Sequence, residues 1–155
     1  MQVQNFVEAN AAHRLLASKT GKSLKNGQIV ALHLGAINRA RNWPRFLEAL
    51  ARAKDSAIHI SVVGCVGNGT EEPFKREVLK LGLQHRVKFV PWIPYEDVSG
   101  YTAACQLGMI TFRSVHDNFM QALAHKLFDY MLARLPVIDP EFGVEVADIV
   151  QESLM

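Results

Sequence analysis

The sequence has little of what marks several specialised classes of protein. Its 155 residues include only two cysteines, Cys65 and Cys105. Both lie in apolar segments, so we expect buried free thiols and no disulfide framework. Neither sign of charge dominates, because 17 basic and 15 acidic residues give a net charge of +2. A nucleic-acid-binding face usually comes with a clear basic excess, so we expect no nucleic-acid partner.

Long hydrophobic runs and cofactor motifs are also missing. No apolar run approaches the roughly 18 residues of a membrane span, and residues 1–12 lack the basic start and apolar stretch of a secretion signal. We therefore expect a cytoplasmic protein. The six histidines are not paired at helical ligand spacing, and no Cys/His cluster is present, so no metal site is predicted. Without a GxGxxG run, a dinucleotide cofactor is unsupported.

What the chain does have is a regular alternation of strand-like and helix-like segments. Hydrophobic residues make up 49% of the sequence, enough for one domain with a core. Strands are predicted at 29–34, 58–63, 87–90, 107–112 and 136–138. Helices are predicted at 43–54, 73–81, 94–104, 125–133 and 144–151. Five short apolar strands alternating with helices predict an α/β fold, a Rossmann-like doubly wound parallel sheet covered on both faces.

Ligands bind such sheets at the carboxyl ends of the strands, which directs attention to one loop and the helix after it. The predicted helix beginning at about His125 offers free N–H groups and a positive dipole end, which suit a phosphate. Asp129 is placed in the first turn of this helix, where its carboxylate can accept the two hydroxyls of a ribose. The segment 118–143 therefore indicates a nucleotide-sugar site.

Several blocks of the chain, in order, resemble one family. Residues 126–138 read KLFDYMLARLPVI, which resembles the signature NKLFEYMAAGLPVI of glycosyltransferase family 4. Residues 82–97 resemble the pattern "lgl.drV.flG.vp.edl", and residues 3–8 resemble "viPNfvd", the junction between the two domains of the family. Shorter similarities lie at 63–64 and 101–110.

The resemblance implies one half of a GT-B fold, in which two Rossmann-like domains face each other. Residues 29–155 would form the donor-binding domain, truncated at its C-terminus, and residues 1–28 would be the interdomain linker region and leading segment. The N-terminal half, which binds the acceptor in this family, would be absent. We accordingly expect the isolated chain to have no transferase activity.

The resemblance also implies roles for two positions around the signature. Asp129 stands at the second carboxylate of the Glu-x7-Glu motif, which accepts hydrogen bonds from the ribose; the alternative is an acid that only stabilises a helix start. Gln121 replaces the first carboxylate, which contacts the donor sugar, and its amide can still bind a sugar hydroxyl without charge assistance. Asp117 is a nearby substitute for that carboxylate.

Four basic residues are candidates for holding the donor diphosphate. Arg41 follows the first strand, where the family places a basic pair, and a guanidinium binds phosphate oxygens in a fork. Arg39 is the second choice in the same loop. Lys126 begins the short helix, and Arg113 ends the fourth strand. For each of them the alternative is a solvated surface charge.

Backbone and imidazole groups complete the predicted site. Gly64, followed by Gly67 and Gly69, permits close approach of the backbone to a ligand. His125 flanks the cleft and could bind phosphate or sugar. Two departures from the family pattern are Ala36, in place of an arginine, and Pro91, in place of a glycine near the nucleobase.

These residues predict a retaining glycosyltransferase that moves a sugar from a nucleotide-diphosphate sugar to a glycan, lipid or small acceptor. Arg41 and Lys126 would stabilise the leaving diphosphate, so neither metal nor cofactor is expected. The full-length enzyme could contact a membrane peripherally. Two alternatives stay open: a nucleotide-binding or regulatory module that has lost catalysis, motivated by Gln121 and Ala36, and an epimerase-like domain of the same fold.

Overall fold

The fold was analysed in a computed structural model that describes residues 27–38, 41–53, 57–64, 70–111 and 124–138. Its strands are β1 (Ile29–Leu34), β2 (Ile58–Val63), β3 (Val87–Val90), β4 (Leu107–Met109) and β5 (Val137–Ile138). Its helices are α1 (Trp43–Arg52), α2 (Glu71–Lys80), α3 (Tyr95–Ala103) and α4 (His125–Leu132). None of the helices in these ranges is long and apolar enough to cross a membrane.

The five strands form one parallel sheet in the order β3-β2-β1-β4-β5. The chain moves outward from β1 through β2 to β3, and then returns to the other side of β1 with β4 and β5. This reversal makes the gap between β1 and β4 the topological switch point, where ligands bind in doubly wound sheets. The predicted fold class is confirmed.

The boundaries of several elements differ from those predicted. The first three strands begin and end as expected, whereas β4 ends at Met109 and β5 has only two residues. Helix α2 begins at Glu71, ahead of Pro73, because proline fits the first turn of a helix and two acidic residues there favour the dipole. The helix predicted over 144–151 lies outside the described residues.

Two apolar layers cover the sheet, one on each face. On one face, α1 and α2 contribute Leu47, Leu50, Phe74 and Val78, which pack on Ile60. On the other face, α4 packs on β1 and the ends of β2 and β3; the buried members of this cluster include Leu32, Leu34, Val63, Val90, Leu127 and Tyr130. Adjacent residues of β1 enter opposite layers, as the alternation of a strand requires. The buried Cys105 is a free thiol, as predicted.

Tyr130 joins α4 to the sheet at the switch point. Its fully buried hydroxyl accepts the N–H of Leu34 at 3.1 Å and lies 2.9 Å from the carbonyl oxygen of Leu32 and 3.3 Å from that of Met109. The ring lies directly on β4, where a Cβ built on Gly108 would come within 2.5 Å of the ring carbons. One side chain thus bonds to both strands that flank the switch point.

We expect Tyr130→Phe to lower the free energy of unfolding by about 1–3 kcal/mol, since the buried N–H of Leu34 loses its partner. Chemical denaturation monitored by circular dichroism measures the change. Tyr101→Phe is the matched control, because the Tyr101 hydroxyl makes no hydrogen bond with any described residue. Equal stability of the two variants would contradict the role given to the Tyr130 hydroxyl.

Candidate functional site

A cavity of about 430 Å³ opens at the carboxyl ends of β1, β2 and β3. Five of the eight predicted site residues line it: Arg41, Gly64, His125, Lys126 and Asp129. The other three, Arg39, Arg113 and Gln121, lie outside the described residues. Predicted residues up to 88 positions apart in sequence, Arg41 and Asp129, therefore meet at one place, the edge of the sheet where the fold predicts a ligand.

The floor of the cavity is backbone from two strand ends. The N–H of Gly35 bonds to the carbonyl oxygen of Val63, and the N–H of Gly64 bonds to that of Val90. Gly64 has a φ of +150°, and a Cβ there would lie 2.5 Å from the carbonyl oxygen of Gly35. The close approach at Gly64 is thus one between the ends of β2 and β1, whereas the predicted approach of this backbone to a ligand stays a prediction.

One wall of the cavity is basic. The ammonium of Lys126 donates to the carbonyl oxygen of Leu34 at 2.9 Å, at the end of β1. Burial, together with the positive charge of Arg41, lowers the pKa of Lys126 to about 7. Burial also lowers the pKa of the Arg41 side chain, and the backbone N–H of Arg41 donates to Asn38 Oδ1 at 3.1 Å. Such a wall favours an anion, because negative charge would relieve the repulsion between the two cations.

His33 lies on β1 behind this wall. Its Nδ1 is 3.3 Å from the hydroxyl of Thr111. Burial first, and then the charges of Lys126 and Arg41, hold its pKa well below the usual value. His33 is therefore neutral at physiological pH and adds no charge to the basic wall.

The cavity is also lined by a carboxylate, that of Asp129. Asp129 is 6% exposed, and its Oδ1 accepts a hydrogen bond from the hydroxyl of Tyr95 at 3.0 Å. Burial raises the pKa of Asp129, while the bond from Tyr95 and the nearby His125 act in the opposite direction. The carboxylate thus lies in a largely dehydrated place with a donor already aimed at it.

The prediction that Asp129 lies in the first turn of its helix is wrong. Helix α4 begins at His125, so Asp129 is its fifth residue and belongs to the second turn. Because residues four apart lie on the same face of a helix, Asp129 is stacked beside His125 and faces the cavity with it. Its hydrogen bond goes to another helix and not to the N-terminal amides of α4.

The first turn of α4 contributes backbone groups. Its N-cap residue, Ala124, has no side chain that could cap the helix, and Ala124, His125 and Lys126 all line the cavity. The N–H groups of this helix start and the positive end of its dipole therefore border the same space as the two cations.

Sequence reasoning missed two aromatic residues of the site. Tyr95, the first residue of α3, bonds to Asp129 and lies 3.5 Å from Nε2 of His125. Trp92, 69% exposed, stands at the rim of the cavity. The one available signal was their position, since the loop 90–94 follows the carboxyl end of β3.

Comparison with known proteins identifies the family. The sequence matches the family "Glycosyl transferases group 1" over residues 17–147. The chain belongs to this family. The resemblance to glycosyltransferases seen in the sequence is thereby confirmed. No curated protein sequence is significantly similar to the chain.

Solved structures of glycosyltransferases share the fold. Anabaena Alr3699/HepE in complex with UDP-glucose is 16% identical, with a TM-score of 0.60 over 96% of this chain and 44% of that protein. The C-terminal domain of LpcC, a glycosyl transferase group 1 family protein from Francisella tularensis, is 13% identical, with a TM-score of 0.56 over 95% of this chain and 83% of that one. Sucrose-phosphate synthase from Thermosynechococcus elongatus is 15% identical, with a TM-score of 0.56 over 97% and 40%.

The chain spans less than half the length of Alr3699/HepE. The match to the LpcC domain covers most of both chains, so the two share a fold over most of their length.

We expect the side chain of Lys126 to titrate near pH 7, and Arg41→Gln to raise that midpoint because it removes a neighbouring positive charge. NMR titration of the lysine side chains measures the midpoint, and Lys126→Met assigns the signal by its loss. Arg45→Gln, on the exposed side of α1, is the control that should leave the midpoint unchanged. A midpoint near the usual 10.5 in the unmodified chain would contradict the description of the basic wall.

Proposed function

We propose that this domain binds the donor of a retaining glycosyltransferase, a nucleotide-diphosphate sugar. One observation carries the proposal: Arg41 and Lys126, the start of α4 and the buried carboxylate of Asp129 line one cavity at the carboxyl ends of the strands. A nucleotide diphosphate has the matching chemistry, with anionic phosphates at one end of its ribose and hydroxyl donors on the ring.

The diphosphate would lie against the basic wall. Lys126 and Arg41 supply two cations, and the start of α4 supplies N–H groups and the positive end of its dipole. Glycosyl transfer leaves a diphosphate as the leaving group, so charges fixed in place before the reaction stabilise the developing negative charge. These fixed cations would take the part that a divalent ion plays in other transferases.

The ribose would lie against Asp129. An ionised carboxylate accepts hydrogen bonds from hydroxyl groups and makes them stronger than a neutral acceptor would. The nucleobase would extend toward the loop 91–94, where Trp92 and Ile93 offer apolar surface at the rim. The donor sugar would contact Gln121. Two further candidates for phosphate contacts are Arg39 and Arg113. His125 would border the space between the phosphates and the ribose.

The whole enzyme would pair this domain with an N-terminal domain that binds the acceptor, a glycan, a lipid or a small molecule. Residues 29–155 would be the donor domain and residues 1–28 part of the connection. The crystal structures of Alr3699/HepE with UDP-glucose and with UDP support a nucleotide sugar as the ligand of this family's fold. We expect the enzyme to work in the cytoplasm, with peripheral membrane contact if its acceptor is a lipid.

A second candidate is a nucleotide-binding or regulatory module without catalysis. Gln121 in place of a carboxylate and Ala36 in place of an arginine favour it. Sugar transfer by a protein that contains this domain together with its acceptor domain would exclude the second candidate, whereas nucleotide binding without any turnover would favour it.

We expect the domain to bind UDP, GDP or ADP, and Arg41→Gln and Lys126→Gln each to weaken that binding about tenfold or more, since each removes a charged donor to phosphate. Isothermal titration calorimetry on the folded domain measures the dissociation constants. Arg45→Gln and Lys80→Gln are matched controls on exposed helix surfaces. If none of the three nucleotides binds to the folded protein, or if the control variants lose as much affinity, the proposal is wrong.

Above about pH 7, Lys126 should take up a proton when the nucleotide binds. Lys126 has a pKa of about 7 in the free protein, so it is largely neutral at pH 8, and a bound diphosphate raises its pKa. Affinity for UDP should therefore fall between about pH 7 and 9. Calorimetry at pH 8 in HEPES and in Tris gives the number of protons taken up, and Lys126→Gln should abolish most of that uptake. Proton release on binding would contradict this assignment.

A further inference from the structure

Tyr95 links the two helices that cover one side of the cavity. It is the first residue of α3, directly after the loop 91–94, and its hydroxyl reaches Asp129 on α4. The donor–acceptor distance of 3.0 Å is that of an ordinary hydrogen bond. The ring of Tyr95 also meets the ring of His125 edge-to-face, with centroids 5.9 Å apart.

Asp129 needs such a partner because it is buried. A carboxylate removed from water takes up a proton unless hydrogen bonds or positive charge compensate for the lost hydration. The titratable groups that face it are Tyr95 from α3, and His125 and Tyr130 from α4. Arg41 and Lys126 line the same cavity.

Only one of the two carboxylate oxygens is engaged. Oδ1 receives the Tyr95 hydroxyl, whereas Oδ2 makes no hydrogen bond with any described residue. Asp129 lines the cavity, so an incoming hydroxyl group can reach this carboxylate. A donor on one oxygen restricts rotation of the carboxylate about its last bond and thereby aims the other oxygen.

We propose that Tyr95 is a positioning residue of the ribose site: its hydroxyl orients the Asp129 carboxylate and stabilises its charge, which leaves Oδ2 to accept a ligand hydroxyl. The inference rests on the proposed function for the identity of the ligand, a ribonucleoside diphosphate. It adds the first residue of α3 to a site whose predicted residues come from α4 and from the segments that follow β1 and β2.

The sign of the pH effect follows from the contact. Tyr95→Phe removes the hydrogen bond to the ionised form but keeps the ring and the burial. The pKa of Asp129, already raised by burial, should then rise further. Nucleotide affinity should fall at low pH, because protonated Asp129 binds ribose less well. We call this fall the acid limb of binding, and in Tyr95→Phe it should move to higher pH.

Calorimetry of UDP and of 2′,3′-dideoxy-UDP binding across the acid limb, on the unmodified domain and on Tyr95→Phe, tests the proposal. We expect Tyr95→Phe to weaken UDP binding about fivefold, to move the acid limb upward, and to leave dideoxy-UDP binding unchanged. Tyr101→Phe, on the same helix, should change none of these. In an Asp129→Asn background, Tyr95→Phe should have no further effect on UDP binding.

An unmoved acid limb, or an equal loss for both ligands, would overturn the inference. Tighter UDP binding by Tyr95→Phe would also overturn it, because Tyr95 would then block the carboxylate. If the unmodified domain binds no nucleotide, the proposed function fails, yet Tyr95 can still be tested in the free protein. There, the carboxyl carbon signal of Asp129 should titrate at higher pH in Tyr95→Phe, and the ring carbon signals of Tyr95 in the unmodified protein should titrate together with Asp129.

Discussion

The candidate site depends on one buried hydroxyl group. Tyr130 bonds to Leu34 and Leu32 on β1, approaches Met109 on β4, and lies on the bare backbone of Gly108. These contacts set where α4 meets the sheet and how it is rotated about its axis. Because Lys126 and Asp129 stand on the same short helix, their positions follow from the position of Tyr130. The side chain that closes the core on one face is therefore adjacent in sequence to the carboxylate of the site.

The cavity holds charges of both signs that do not pair with each other. Arg41 and Lys126 line it together with Asp129, whose hydrogen bond goes to Tyr95. An ion pair between the carboxylate and the ammonium would neutralise both groups and leave little charge for a ligand. Without it, burial and the charge of Arg41 lower the pKa of Lys126, and burial raises the pKa of Asp129. A ligand with anionic groups and hydroxyl groups would compensate both buried groups, which is the physical basis of the proposed nucleotide-sugar site.

Sequence patterns predicted the fold well because its determinants are local. β-Branched and apolar runs such as Ile58–Val63 form strands buried on both faces, and helical spacing after Trp43 forms an amphipathic helix. Errors occurred where tertiary contacts set the boundaries, as at β5, which is only two residues long beside β4. Asp129 was placed one turn too early although the helix start at His125 was predicted correctly, because the fifth residue of a helix with 3.6 residues per turn belongs to its second turn.

The sequence by itself determined the alternation of strands and helices, the family and five candidate residues that line one cavity, since hydrophobic periodicity and the order of the family motifs can be recognised along the chain. The tertiary structure decided what those residues do to one another. Lys126 donates to the end of β1, Arg41 helps to lower the pKa of Lys126, and Tyr95 donates to Asp129. These interactions join residues that are 34 to 92 positions apart. Such contacts depend on how helices pack across the sheet, and no local pattern of residues encodes them.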